Sequence, residues 1–407
     1  MNNIIPLKEI AKYSEDKIDI KLLDKTNYIT TDNMLQNKLG VEEATFMPPQ
    51  EANVTQYKKG DILIANIRPY LKKIWYTSQD GGNSADVLTI QVDDNFDSKF
   101  VYYALFRDDF FEHVMKGAKG TKMPRGDKNQ IMEFIIPNFD KTTQQKIASV
   151  FSSLDKKIEI NNKINQELEI MAKTLYDYWF VQFDFPNEEG KPYKSSGGEM
   201  VYSEELKREI PEGWKVANLK NNYLTQILKP KIDKFECEKI YLATADVQDK
   251  KINFQAEKIT YDDRPSRANM QPIKNSIWFA KMKNSKKVLF FADYSKEFLE
   301  NFILSTGFMG LECKDYALEY LWGFIDNSYF EMNKDRLASG ATQEAINNED
   351  LAFIKIIIPS DNVLKNYNLK VKSIYQKIYN NQIQNQELSK LRDWLLPMLM
   401  NGQVKVK

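Results

Sequence analysis

The feature that most constrains this chain is a seven-residue repeat that occurs twice. Ile147, Leu154, Asn161, Leu168 and Leu175 fall seven apart, and Phe151, Ile158, Asn165, Ala172 and Trp179 follow four later, with neither proline nor glycine between Ile147 and Trp179. Two such series form a coiled-coil seam. At 1.5 Å per residue the uninterrupted helix is about 50 Å long, beyond an ordinary globular helix. The same seam returns with Ile374, Ile378, Asn381, Asn385, Leu388 and Leu395, where Asn381 matches Asn161 (381 − 161 = 220) and Gln386-Glu387-Leu388 matches Gln166-Glu167-Leu168. A seam asparagine costs stability and specifies register and partner, so the two helices are expected to pair with each other. Because each follows its own globular segment, antiparallel pairing would place the segments at opposite ends and relate the halves by a pseudo-two-fold axis. Two helices packed only on their own segments are the alternative, which the long connection also permits.

Length and composition bound the rest. A chain of 407 residues suits two domains or a few, each with its own core. No apolar run approaches the ~20 residues that span a bilayer, and MNNIIPLKEI lacks the basic and apolar regions of a signal peptide, so the cytoplasm is the expected compartment with no membrane partner. The 57 basic and 57 acidic residues balance, which excludes binding driven by overall positive charge but leaves a local basic face. A single histidine, His113, removes most histidine-based catalysis and metal binding, and no metal site is expected. Cys237 and Cys313 match neither a zinc spacing nor a disulfide framework and are expected to be buried thiols.

Residues 5–13 read as a short strand and turn, and residues 14–56 as irregular. Beyond them, Asp61-Ile62-Leu63-Ile64-Ala65, Ile74-Trp75-Tyr76 and residues 87–92 read as strands, Gly81-Gly82 as a tight turn, and residues 131–137 as a short strand. Residues 100–115 have the aromatic spacing of one core helix with Tyr102, Leu105, Phe106 and Phe110 inward. Two loops carry chemistry. Arg68, Tyr70, Lys72 and Lys73 form a basic loop suited to phosphate contacts and base-edge readout, and a solvated basic turn is the equally open alternative. The glycine-rich run Gly117-Ala118-Lys119-Gly120-Thr121-Lys122-Met123-Pro124-Arg125-Gly126 holds three positive side chains but no GxxxxGK[ST] phosphate loop. The second half repeats the order: strand NSIWFA, basic loop 281–287, strand Val288-Leu289-Phe290-Phe291, aromatic helix 317–330, glycine loop 337–343 and strand Ile356-Ile357-Ile358.

The stretch WFVQFDFPNEEGKPYKSSGGEMVYSEELKREIPEGW and the ending QNQELSKLRDWLLPMLMNGQVKV resemble the specificity subunit of Type I restriction-modification systems, and the resemblance covers the whole chain. It implies an α+β chain of two α/β target recognition domains separated by a pair of long antiparallel coiled-coil helices with a pseudo-two-fold internal repeat. The expected parts are recognition domain 1 at residues 1–143, a central spacer helix at 144–182, a linker at 183–210, recognition domain 2 at 211–362 and a C-terminal spacer helix at 363–407. It also implies a non-catalytic subunit that reads a bipartite, asymmetric site on double-stranded DNA. Two methyltransferase subunits using S-adenosylmethionine, and restriction subunits using ATP and Mg2+, would be the partners, with no cofactor in this chain.

The expected DNA contacts are Arg68, Tyr70, Lys72, Lys73, Thr121, Lys122, Met123 and Arg125 in the first half, and Lys281, Lys283, Lys286, Lys287, Thr342 and Gln343 in the second. Helix pairing is assigned to Leu154, Ile158, Asn161, Asn165, Leu168, Ile374, Ile378, Asn381, Asn385 and Leu388. Apolar residues off the seam (Ile164, Met171, Tyr178, Trp394 and Met398) are candidates for the methyltransferase contact. An enzyme carrying its own target domains is the first rival. Its methyltransferase form needs an [ND]PP[YF] tetrapeptide, to which Pro137-Asn138-Phe139-Asp140 does not conform, and its nuclease form would have to hold magnesium on Asp86, Asp93 and Asp94. A free-standing DNA-binding coiled-coil scaffold without enzymatic partners is the second.

Overall fold

The computed structural model of the chain describes residues 4–48, 53–341 and 343–406. They form two compact units, residues 1–161 with 383–407 and residues 162–382. Each unit therefore contains one globular domain and a stretch of both long helices.

In the first unit the strands Ala11–Tyr13, Val87–Val92, Ile62–Ala65 and Ile74–Tyr76 form an antiparallel sheet in that order. A second sheet runs Lys17–Asp19, Asn53–Tyr57, Gly81–Asn83, Tyr28–Ile29. Three of its strands come from the segment expected to be irregular, because they are only two to five residues long and too short to show alternation. Gly81-Gly82 is likewise strand and not turn. A Cβ on Gly81 would lie 2.2 Å from the Asn27 carbonyl oxygen, so the glycine permits a close backbone approach. Ile4–Pro6 pairs with Ile135–Pro137, and residues just before the latter are helical, Lys128–Met132.

The expected single aromatic helix is two, Ser98–Leu105 and Asp108–Lys116. The Asp97 carboxylate caps the first by accepting from Phe100 N at 2.9 Å. Leu105, Phe106 and Phe110 are buried as expected, whereas Tyr102 is half-buried, packed between Tyr76 and Phe106. His113 lies 2.7 Å through Nε2 from the Gln130 carbonyl, which only accepts, so that nitrogen carries the proton.

The second unit repeats the plan. Thr225–Ile227, Phe308–Cys313, Ser276–Ala280 and Val288–Phe291 form its main sheet, and Lys258–Ile259, Lys239–Leu242, Phe302–Ser305 and Ala268–Met270 its second. Lys215–Asn218 pairs with Lys355–Ile358, as Ile4–Pro6 pairs with Ile135–Pro137. Trp278 is wholly buried and its indole donates to Ser276 Oγ at 2.9 Å. A Cβ on Gly310 of the neighbouring strand would fall 2.6 Å from that indole. The helices Leu318–Ile325 and Ser328–Leu337 again replace one expected helix, with Asn327 Oδ1 accepting from Phe330 N at 3.0 Å at the joint.

The central helix is Lys141–Tyr176, ending in a wider turn at Asp177–Val181, and the C-terminal helix is Asp361–Met400. Asp140 opens the central helix by accepting from Thr143 N at 3.0 Å, and the Thr143 hydroxyl and amide hold its carboxyl below the usual range. Within the first unit Asn161 Nδ2 donates to Gln384 Oε1 and Asn385 Oδ1, both at 2.8 Å, and Arg392 meets Asp155 at 2.8 Å. Within the second, Asn381 Nδ2 donates to Asn165 Oδ1 at 2.8 Å and Trp179 packs on Tyr367 with ring centroids 5.4 Å apart. In both units the partners descend one helix as they ascend the other, so the pairing is antiparallel. The same asparagine donates and the same asparagine accepts in each repeat. All ten residues assigned to helix pairing are buried or half-buried. The helices also pack on the domains: Ile147, Phe151, Leu396 and Leu399 enter the first core, and Tyr176, Trp179, Leu364 and Tyr367 the second.

Residues 183–210, expected to be a linker, are folded. Phe183 and Phe185 are buried, and Phe185 stacks on Tyr193 and Trp214 with centroids 4.6 and 5.0 Å apart. Asp184 accepts from Ser195 N and Oγ at 2.7 and 2.6 Å, and Met200–Ser203 pairs with Arg208–Pro211 in a hairpin. Glycine and charge made the segment look flexible, but three aromatic residues anchor it to the second core. Cys313 is buried as expected, and burial pushes its thiol up. Cys237 is exposed instead, because it precedes the strand Lys239–Leu242 in a surface loop. Among the described residues no helix is long and apolar enough to cross a membrane.

Candidate nucleic-acid interface

In the first domain the basic loop and the glycine loop, some fifty positions apart, are laced together by their backbones. Arg68 N donates to Pro124 O at 2.8 Å and Gly126 N to Asn66 O at 3.1 Å, while Lys119 and Arg125 exchange two 2.9 Å bonds that close the glycine loop on itself. Arg68 and Lys72 sit at positive φ, 51° and 50°, flanking the short helical turn Pro69–Leu71. The second domain makes the same clasp. Lys283 N donates to Glu344 O at 3.0 Å, Ile346 N to Lys281 O at 3.0 Å, and Ser339 and Ala345 close the glycine loop at 3.2 and 3.1 Å.

The side chains differ in what they are free to do. Arg68, Tyr70, Thr121, Lys122, Met123 and Arg125 are exposed, Tyr70 by 51% and Met123 by 50%. Arg125 pairs with Asp86 at 2.8 Å while its side chain stays 58% exposed. Among the described residues no group of three or more His, Cys, Asp and Glu is placed to hold a metal ion. Lys73 is turned inward. Its ammonium donates to the Thr31 carbonyl, and burial holds its pKa down. Lys72 is half-buried on Asp108 at 3.0 Å.

In the second domain Lys283 pairs with Glu344 at 2.9 Å and Lys286 with Asp326 at 3.1 Å. Lys287 donates to the Thr244 carbonyl, as Lys73 does to Thr31. Lys281 is half-buried, and burial followed by the Arg267 charge lowers its pKa. Gln343 is exposed. Thr342 lies outside the described residues. The geometry thus collects the described residues among these into one clasp per domain, in which Lys73 and Lys287 turn their ammonium groups inward to the Thr31 and Thr244 carbonyls. A lysine ammonium can satisfy a buried carbonyl as readily as a phosphate, and the local sequence does not distinguish the two.

Two residues escaped the sequence reading. Arg267 stands beside Lys281 from a strand-leading segment with no basic run around it, and its carbonyl accepts from Thr306 N at 2.9 Å. Lys334 is 1% exposed, with its ammonium 3.1 and 3.0 Å from the Met282 and Ser285 carbonyls and 2.7 Å from Glu331. It holds the basic loop from beneath, and its place on a helix of mixed charge gave no sign of burial.

Residues 2–170 match the family described as the Type I restriction modification DNA specificity domain. The chain is 24% identical to the HindI Type I restriction enzyme specificity subunit of Haemophilus influenzae, over 98% of both chains. It is 26% identical to the MjaIX specificity subunit of Methanocaldococcus jannaschii, over 90% of this chain and 83% of that one. The chain is thus similar to Type I restriction enzyme specificity subunits along nearly its whole length. A solved Type I specificity subunit from M. genitalium shares its fold, with a TM-score of 0.54 at 15% identity over 98% of this chain and 96% of that one. This chain combines two clasps of one backbone design with a repeated helix seam.

Proposed function

We propose that the chain is the non-catalytic, DNA-reading subunit of a Type I restriction-modification assembly, and that each clasp reads one half of a bipartite, asymmetric site on double-stranded DNA. The observation that carries this reading is the recurrence of one backbone clasp with unlike side chains: exposed Arg68, Met123 and Arg125 in the first, and half-buried Lys283, exposed Gln343 and half-buried Ala345 in the corresponding places of the second. Arginine can donate twice to guanine and glutamine can pair twice with adenine, whereas lysine mostly holds phosphate. Unlike tips on one frame imply unlike half-sites. The paired helices, 36 and 40 residues long, serve as the spacer rule. At 1.5 Å per residue they span roughly 54–60 Å, enough to bridge half-sites about one DNA turn apart.

In this reading the chain takes no cofactor itself. Two methyltransferase subunits supply S-adenosylmethionine chemistry, and restriction subunits supply ATP and Mg2+ chemistry. Exposed apolar side chains on the helices support a docking role: Ile164 is 37% exposed, Met171 51%, Tyr178 36% and Trp394 58%, whereas Met398 is half-buried and a weaker candidate.

The test is methylome sequencing of cells expressing the chain with its methyltransferase subunit. A motif of two unrelated blocks separated by a constant number of unspecified bases is expected, and a contiguous motif or none overturns the reading. Inserting four residues at both Asn161 and Asn381 lengthens the pair by ~6 Å, which should change the spacer and keep both blocks. Retention of the original spacing would refute the ruler. Purification of the co-expressed complex should give one copy of this chain with two of the methyltransferase, and a chain that elutes alone would favour the free-standing scaffold.

A further inference from the structure

Each clasp is fastened to the long helices by a relay of charged side chains, and the two relays use different residues for the same connections. In the first unit, residues 37–38 lie along the end of the basic loop, where Asn37 N donates to Leu71 O and Lys38 N to Lys72 O, both at 2.9 Å. Lys38, with a side chain only 10% exposed, reaches Asp108 at 2.8 Å and the Phe106 carbonyl at 3.0 Å. Lys72 of the basic loop meets the same Asp108 oxygen at 3.0 Å. The Phe106 ring then has Lys38 4.8 Å from its centroid and Arg392 of the C-terminal helix at 4.5 Å. Arg392 is itself held by Asp155 of the central helix.

In the second unit, Val288 N donates to Asp249 O at 2.9 Å, so the Asp249-Lys250 turn lies along the basic loop as Asn37-Lys38 does. Asn37, Lys38 and Asp249 all adopt positive φ, 55°, 64° and 51°. Lys250 bonds Asp326 at 2.8 Å and Glu169 of the central helix at 3.0 Å, and Lys286 of the basic loop takes the other Asp326 oxygen at 3.1 Å. Asp108 and Asp326 both occupy the joint between the two aromatic helices of their domains. Burial alone would lower the Lys250 pKa, but Asp326 and Glu169 outweigh it and raise it.

Exposed ion pairs hold little geometry, but these cations are largely sequestered: the side chains of Lys38, Arg392 and Lys250 are 10, 14 and 24% exposed. Removing one partner of such a pair strands the other, so the arrangement resists drift. We propose that Lys38 and Lys250 are positioning residues that lock each reading loop to the long helices of its own unit, and so fix the angle from which that half-site is read. The inference rests on the DNA-reading proposal. It also makes Lys72 and Lys286 brackets of the relay, no longer free to follow phosphates.

The test is selection of bound duplexes from a random-sequence library by the full chain, unaltered and as Lys38→Met, Lys250→Met and Lys250→Arg. Lys38→Met and Lys250→Met should relax different halves of the motif, each by roughly tenfold at its best-read position, and Lys250→Arg should retain both. Neither methionine variant should change the slope of log affinity against log salt, since no phosphate contact is lost. A slope reduced by ~0.9 would mean that the lysine touches phosphate and would overturn the positioning role. Equal loss in both halves, or none in either, would overturn it too. An unaltered chain that selects no motif refutes DNA reading itself, and this inference with it.

Discussion

The two clasps share their backbone hydrogen bonds and differ in the side chains those bonds present. Arg68 and Lys283 donate through equivalent amides, and the residues that close each glycine loop are Lys119 and Arg125 in one domain, Ser339 and Ala345 in the other. Beneath the tips the exchange continues into the core. Val114, fully buried in the first domain, stands where Lys334 is buried in the second, and exposed Lys99 stands where Glu319 is 1% exposed. Main-chain amides and carbonyls are the same for every residue, so a frame built from them tolerates changes in every side chain it carries. The second domain has used that tolerance to bury two charges.

That difference can be broken experimentally, and the largest effect is expected at Lys334. Lys334→Ala strands two loop carbonyls and Glu331, so the second domain should lose about 4 kcal/mol; urea titration should show its transition moving while that of the first domain stays in place. Next is Glu319, whose carboxyl burial pushes up to about 7 despite the hydrogen bond from Asn368. A carboxyl raised in the folded state favours folding fully below its unfolded value near 4.5, and that contribution is lost as pH rises through about 7. The second domain should therefore weaken by roughly 3 kcal/mol between those limits. Thermal melts across this range should slope for the unaltered chain and flatten for Glu319→Gln, with the first domain unaffected.

Smaller effects sharpen the comparison at the tips and the seam. Gln343→Ala should relax one position of the second half-site, and Arg125→Ala one position of the first, each by about 2 kcal/mol in competition binding. Asn161→Leu and Asn381→Leu each remove the hydrogen bond to the asparagine of the facing helix and should each cost about 1 kcal/mol by denaturant melts. If one costs several times the other, the two halves of the seam are not equivalent after all.

Much of the frame was legible because it is local. The strands Ile62–Ala65, Ile74–Tyr76, Ser276–Ala280 and Val288–Phe291 have β-branched and aromatic runs bounded by turn residues, and the repeated glycine loops stand out by composition. What escaped is non-local. The burial of Phe183 and Phe185 depends on a core far along the chain, and the inward turn of Lys73 and Lys287 on carbonyls at Thr31 and Thr244.

By itself the sequence determined the two helices, their register and their repetition, because a heptad seam is written in side-chain spacing along one helix and its asparagines name their partners. The tertiary structure alone decided which basic residues face outward and which hold the loops. Lys38, Lys72, Asp108, Arg392 and Asp155 meet only after the chain has returned on itself several times, and no residue among them carries in its neighbours the sign of whom it will meet.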